Sequence, residues 1–287
     1  MTKLVALVHA SAFALVAAGC HHDHHHVSPP APEAAAAAPL TEAGIAIPIA
    51  PGKTAAWEAA LHELTGPRYS EYDTSRRRFG LTSQTTFLQR TPMGDFALIH
   101  MTGADVHASF HAMSTSQDPW DVKWRELTQN LHGVDFAKGE RVTPVIEPLY
   151  AMDAADSAGT PFMFLAPLAE GGAAKLRTLA TELTTSRRAD YERARRALGI
   201  HREAVFLETT AQGTAVVVYW LADDPVASLH ALAGSTEPFD RWLRETLAGV
   251  HPIPLDTIVQ IASANTLVGQ YPAPPAPALV GAGGVVH

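Results

Sequence analysis

The sequence predicts an α+β chain made of two fused βαββαβ units. Two observations carry this. Sliding the 287-residue chain on itself by 119 positions aligns Thr41–His132 with Thr160–His251 without a gap, and 28 of the 92 aligned positions are identical. Within each copy, strand-like and helix-like apolar periodicities then follow one another in the same order.

A first strand is expected at Ile45–Ala50 and at Phe162–Leu168. Helical spacing follows, with Leu176, Leu179, Leu183, Tyr191, Ala194 and Leu198 near one face. In the first copy Gly66 and Pro67 break that helix, and Pro67 suits the first position of a new one. Gly80 and Gly199 act as helix stops. Next come two apolar runs around a turn holding Gly94 or Gly213, which reads as a hairpin. The second runs, FALIHM and AVVVYW, are apolar on consecutive residues and predict strands covered on both faces. Asp105 and Asp224 read as helix N-caps, with Pro225 suited to the position after. A further helix follows Pro119 and Pro238 and carries Trp120, Trp124, Phe239 and Trp242. Last strands are expected near Val145–Met152 and Ile258–Ala262. One such unit has helices on a single face of its sheet, so its other face calls for cover, and a second copy supplies it sheet to sheet.

The recurring string is R-x-x-x-Y-x-x-x-R-R-x-x-G, then F-L, G, D-x-x-A-S-x-H-A and S-x-x-P-[WF]-D. With the element order and the duplication, it resembles the ferredoxin-like dimeric α/β-barrel superfamily and is similar to uncharacterised one-copy members. The resemblance covers Thr41–Ala264, with one repeat at 43–152 and the other at 160–264. It implies a pseudo-dimeric α/β barrel within one chain, hence a monomer. The superfamily includes oxygenases, haem enzymes and binding proteins, so the fold selects no activity.

Residues 1–20 read as an export signal: Lys3, an apolar stretch from Leu4 to Val16, then small residues to Cys20. The closing LVAAGC resembles a bacterial lipoprotein box, which implies lipidation of Cys20 and a place on the cell envelope, periplasmic or surface-facing. An ordinary signal peptide cut near Gly19 is the alternative. His21, His22, His24, His25 and His26 follow at once and suit zinc, copper or nickel, or serve as a polar spacer. The Pro/Ala-rich stretch closing 21–42 reads as a disordered tether, and 271–287 as a disordered tail.

Steps of four place Arg68, Tyr72 and Arg76, and in the second copy Arg187, Tyr191 and Arg195, near one another on a helix face. They suit an anionic ligand, or ion pairs to Asp105, Asp121 and their counterparts that fix helix to helix. His111 and His230 recur, and the first copy adds His107 one turn earlier; the readings are a boundary histidine or a metal site. His100 aligns with Tyr219, Met101 with Trp220 and Gln89 with Glu208, in otherwise apolar strands, as cavity linings or hydrogen-bonded strand residues.

Twenty-one basic against 29 acidic residues leave no surplus of positive charge for nucleic acid. After residue 20 no apolar run is long enough to span a bilayer. P-loop, dinucleotide-glycine, G-x-S-x-G and C-x-x-C signatures are absent, and Cys20 is the single Cys. The expected function is an exported, lipid-anchored protein that binds a small apolar or anionic ligand. The alternatives are a cofactor-free oxygenase- or isomerase-like enzyme, and a metal-sequestering lipoprotein acting through the His tract.

Overall fold

The computed structural model describes residues 40–134, 144–153, 158–211 and 213–273. The expected signal, Cys20, the His tract, the tether and most of the tail lie outside them. Among the described residues no helix is long and apolar enough to cross a membrane.

The first half contains β1 (Glu42–Pro48), α1 (Thr54–Thr65), α2 (Tyr69–Arg78), β2 (Leu81–Thr91), β3 (Gly94–Gly103), α3 (Val106–Thr115), α4 (Pro119–His132) and β4 (Val145–Asp153). The second contains β5 (Thr160–Pro167), α5 (Gly172–Thr184), α6 (Arg188–Ala197), β6 (Ile200–Thr210), β7 (Gly213–Ala222), α7 (Pro225–Gly234), α8 (Pro238–Ala248), α9 (Leu255–Ser263) and β8 (Thr266–Tyr271). The strands form two four-stranded antiparallel sheets, in the orders β1-β3-β2-β8 and β4-β6-β7-β5. The halves therefore exchange their last strands. β8 completes the first sheet, with Tyr271 opposite Gln84, and β4 completes the second, with Val145 opposite Thr209.

One expectation is corrected. Ile258–Ala262 lies in α9, and the last strand begins at Thr266. Ile258 and Ala262, four residues apart, are the buried positions of α9, the spacing of one helix face. The helix break also differs. It occurs in both copies, although only the first has Gly-Pro: Arg68 N–H donates to the Glu63 carbonyl at 2.8 Å and Arg187 N–H to the Glu182 carbonyl at 2.9 Å. In the second copy the Thr184 and Thr185 hydroxyls bond back to the carbonyls of Ala180 and Thr181, competing with the backbone ladder.

Each sheet keeps one face for helices and one for the other sheet, so the core has three layers. Phe87, Leu98, Met163, Phe206 and Val217 meet between the sheets. Here Gly44 is required, because a Cβ at that position would stand 2.6 Å from Cδ2 of Phe206. Leu88, Ala97, Trp57, Leu61 and Tyr271 pack under the helices of the first half, and Leu176, Leu183, Trp220, Leu243 and Ile258 under those of the second.

Many identities between the copies serve this scaffold. Asp105 and Asp224 cap α3 and α7 by accepting from Ala108 N–H at 3.0 Å and Ala227 N–H at 2.9 Å. Ser109 and Ser228 donate to the carbonyls of Phe79 and Leu198, at 2.6 and 2.7 Å. Nδ1 of His132 and His251 lies 2.9 and 2.8 Å from the Pro48 and Pro167 carbonyls. A carbonyl only accepts, so Nδ1 carries the proton in both. Gly80 and Gly199 end α2 and α6 at φ of 73° and 71°, a left-handed conformation that suits glycine.

Candidate functional site

A cavity of about 300 Å³ lies between the helix-facing side of the first sheet and α1, α3 and α4. Trp57, Leu61, Ile99, Met101, Phe110 and Trp124 make most of its wall apolar. Its polar groups include Arg76 from α2, Gln84 from β2 and Glu208, which reaches in from β6 of the other half.

Arg76 is buried, 4% exposed. It donates from one terminal nitrogen to Gln84 Oε1 and from the other to Ser75 Oγ, each at 3.3 Å, and its Nε has no partner among the described residues. Burial draws its pKa down, opposed by the Tyr72 phenol and by Asp121. A guanidinium stays protonated in a protein, so a buried positive charge held by weak neutral contacts faces the cavity.

The counterpart arrangement is closed. Arg195 donates from Nε to Glu203 Oε2 at 2.5 Å and from a terminal nitrogen to Oε1 at 3.4 Å, while Tyr191 O–H donates to Oε2 at 2.7 Å. Burial draws the Arg195 pKa down, but the Glu203 carboxylate more than offsets this and raises it. Under the 119-residue shift Gln84 takes the place of Glu203 and Met101 that of Trp220. The second half keeps a cavity of about 90 Å³ at this place, lined by Arg195, Glu203 and Trp220 and by Leu255, Ile258 and Val259 of α9. Of the counterparts of α9 one repeat earlier, 136–144, all but Pro144 lie outside the described residues.

Glu208 and Gln89 are likewise counterparts with different chemistry. The Gln89 amide spans the edge of β5, donating to the Leu165 carbonyl and accepting from its N–H, both at 2.9 Å. Glu208 makes half of that bridge. Its Oε2 accepts from Ala46 N–H at 2.9 Å, and its Oε1 has no partner among the described residues. Burial pushes its pKa up to about 8, against the lowering effect of the Ala46 N–H. Near neutral pH Glu208 is thus mostly a protonated acid on the cavity wall. Burial also lowers the pKa of His132, another lining residue, with the Pro48 carbonyl opposing, so its ring is neutral at pH 7.

The residues expected to bind ligand fall in four places. Tyr72 and Tyr191 are buried on α2 and α6, beside Arg76 and Arg195, and Tyr191 serves the closed ion pair. Arg68 and Arg187 sit just before these helices on aromatic rings, 4.0 Å from the Trp120 centroid and 3.8 Å from that of Trp242. Their acidic neighbours are Glu71 at 3.5 Å and Glu182 at 3.7 Å, on their own half; Asp121 is engaged by Arg78 and Ser75. His100 and Tyr219 stack on each other between the sheets, outside the cavity lining. There His100 Nε2 lies 2.6 Å from Glu42, which also accepts from Arg202 at 2.7 Å. His111 and His230 are exposed on α3 and α7, with Ser263 Oγ 3.1 Å from the latter ring. Among the described residues no group of three or more His, Cys, Asp or Glu gathers in a metal-binding arrangement. Met101 and Glu208 do line the cavity. Sequence reasoning did not single out Gln84, although the Gln84/Glu203 difference stood in the self-alignment.

No family model and no curated protein matches the chain. Among solved structures the chain is similar to a "putative monooxygenase" from Fusobacterium nucleatum, at 10% identity and a TM-score of 0.43 over 73% of this chain and 86% of that one. It is also similar to an "anthrone oxidase-like protein", at 11% identity and a TM-score of 0.39 over 79% and 88% of the two chains. A third is a "putative monooxygenase" from Lactobacillus acidophilus, at 10% identity and a TM-score of 0.37 over 75% and 90%. At these scores the likeness carries no argument about activity.

Proposed function

We propose that the first half is a binding pocket for a small, largely apolar carboxylate, carried by a pseudo-dimeric α/β barrel whose second half keeps only a smaller cavity with its arginine already paired. One observation carries the reading: Arg76 faces a cavity with Gln84 where Arg195 has its own carboxylate, Glu203. A carboxylate ligand would supply the missing charge and accept charge-assisted hydrogen bonds from the guanidinium. A cavity of about 150 Å³ takes a benzene ring, so about 300 Å³ suits a ring system of one or two rings bearing that group. The chain would be exported and held on the envelope through a lipidated Cys20, with His21–His26 able to take up zinc, copper or nickel near the anchor.

The test is thermal stabilisation and calorimetry with aromatic and aliphatic carboxylates, each beside its primary amide. The acids should bind the wild type and Arg195→Met but not Arg76→Met, whose own melting point should stay close to wild type. Equal binding of acids and amides, or unchanged binding to Arg76→Met, overturns the reading.

A second reading rests on Glu208, a protonated acid with an unpartnered oxygen on the same wall. It could exchange a proton with a bound ligand, a cofactor-free chemistry of the isomerase kind. Deuterium uptake from D2O into the bound carboxylate, lost in Glu208→Gln, is the measurement that decides for it.

A further inference from the structure

We propose that the depression around Asp240, between α6 and α8, binds a guanidinium group from outside the chain: a small guanidino compound or an arginine side chain of a peptide.

The first half contains the template. There Asp121 is engaged through both oxygens. Ser75 Oγ donates to Oδ1 at 2.7 Å, and Ser116 Oγ and Arg78 donate to Oδ2 at 2.6 and 2.5 Å. The other terminal nitrogen of Arg78 lies 3.0 Å from Asp118 Oδ2. The Arg78 guanidinium is thus clamped between two carboxylates, with its side chain 38% exposed, so the clamp lies within reach of solvent.

Shifted by 119 residues, the acids and one serine are kept and the other donors are gone. Asp121 corresponds to Asp240, Asp118 to Glu237 and Ser116 to Ser235, whereas Ser75 becomes Ala194 and Arg78 becomes Ala197. Ser235 Oγ still donates to Asp240 Oδ2, at 2.6 Å. Asp240 Oδ1 has no partner among the described residues, although the residue is only 3% exposed. Ala194, Ala197, Glu237 and Asp240 line one open cavity of about 1030 Å³. The second half has kept both acids on one lining and has lost both the serine that holds Oδ1 and the guanidinium that holds Oδ2 and the second acid in the first half.

Arginines nearby are otherwise engaged. Arg187 lies on Trp242, and Arg193 pairs with Asp190 at 2.5 Å. Arg244 donates to the Leu232 and Ser235 carbonyls, and Arg241 to that of Thr236. Three carboxylates, Asp190, Glu237 and Asp240, against Arg187 and Arg193 leave the lining with one negative charge in excess. A buried carboxylate short of donors gains most from a planar, multiply donating cation, which selects guanidinium over ammonium.

The test uses the full chain in calorimetry and thermal stabilisation, with methylguanidine, methylammonium, an Arg-containing tripeptide and its Lys counterpart at matched ionic strength. At least tenfold preference for a guanidinium over its ammonium partner is expected. If methylguanidine binds, the ligand class is small; if the tripeptide alone binds, it is a peptide; both support the proposal. The decisive variant is Ala197→Arg, which restores the chain's own guanidinium: it should melt higher than wild type and lose the added ligand. Arg76→Met should leave guanidinium binding intact, which separates this site from the carboxylate pocket. Equal response to guanidinium and ammonium, no response to either guanidinium probe, or undiminished binding in Ala197→Arg overturns the proposal.

Discussion

The imidazole of His100 lies flat on the phenol ring of Tyr219, with centroids 3.6 Å apart and planes 4° from parallel. The two are counterparts under the 119-residue shift, and counterparts touch only where the halves meet face to face. Around this contact Glu42 joins His100 of one sheet to Arg202 of the other. The polar groups that resemble an active site in sequence thus knit the sheets together, and the cavity opens on the outer face of the first sheet.

The two buried arginines should respond differently to removal. Arg195→Met leaves Glu203 buried without its cation and should destabilise the chain by about 3 to 5 kcal/mol. Arg76→Met removes a charge with no paired carboxylate and should cost about 1 kcal/mol or less. Denaturant midpoints of both variants, and of Arg195→Met/Glu203→Met, check this. The double variant should recover most of the loss.

Two kinds of buried group should tilt stability against pH in opposite senses, Glu208 lowering it as pH rises from about 4.5 to about 8 and three histidines lowering it as pH falls below about 6.5. Glu208 is raised to about 8 in the fold, so its contribution is full below the unfolded value near 4.5 and is lost as pH rises toward and through 8. Each pK unit is about 1.4 kcal/mol, which bounds the loss at about 5 kcal/mol. Glu208→Gln, which imitates Gln89, should remove this slope. His100, His132 and His251 are lowered by burial, against opposing hydrogen bonds. Their contribution is full above about 6.5 and is lost as pH falls from there through their lowered values. Urea midpoints from pH 5 to 9, wild type beside Glu208→Gln, separate the two limbs.

Met101→Trp should copy the second half's plug into the first. The cavity is large enough to receive the ring, so stability should change by less than about 1.5 kcal/mol, while carboxylate binding is abolished. Tryptophan fluorescence and calorimetry on the variant check both. Retained binding would place the ligand elsewhere.

Because the last strands are exchanged, residues 40–153 alone would present β2 without β8 and β4 without β6. Each half expressed alone should aggregate or self-associate through these open edges, and the two halves together should form a soluble heterodimer. Size-exclusion chromatography reads both outcomes. A stable monomeric half would contradict the shared core.

Local chemistry made much of this architecture legible. Asp105 and Asp224 cap as their type and position imply, and Gly80 and Gly199 stop their helices. The strand expected at 258–262 is a helix: a short apolar run fits either state, and only the wider spacing of Leu255, Ile258, Val259 and Ala262 favours the helix. The strand exchange left no trace, since β2 and β8 lie far apart in the chain and either sheet would accept the same pattern. The site was only half visible. Arg76 stood in the repeated motif, but its meaning depends on Gln84, whose difference from Glu203 becomes chemistry only when both face the same guanidinium.

The fusion of the halves has a consequence for inheritance. In a symmetric homodimer one gene writes both sites, so a change that frees one arginine frees the other, and one that plugs a pocket plugs both. Here positions 84 and 203 are separate codons. One half can drop its internal carboxylate while the other keeps Arg195 neutralised as a structural pillar, and Arg78 can stay in its clamp while Ala197 leaves the other clamp open. Linking two copies in one chain turns a duplicated fold into two loci free to diverge.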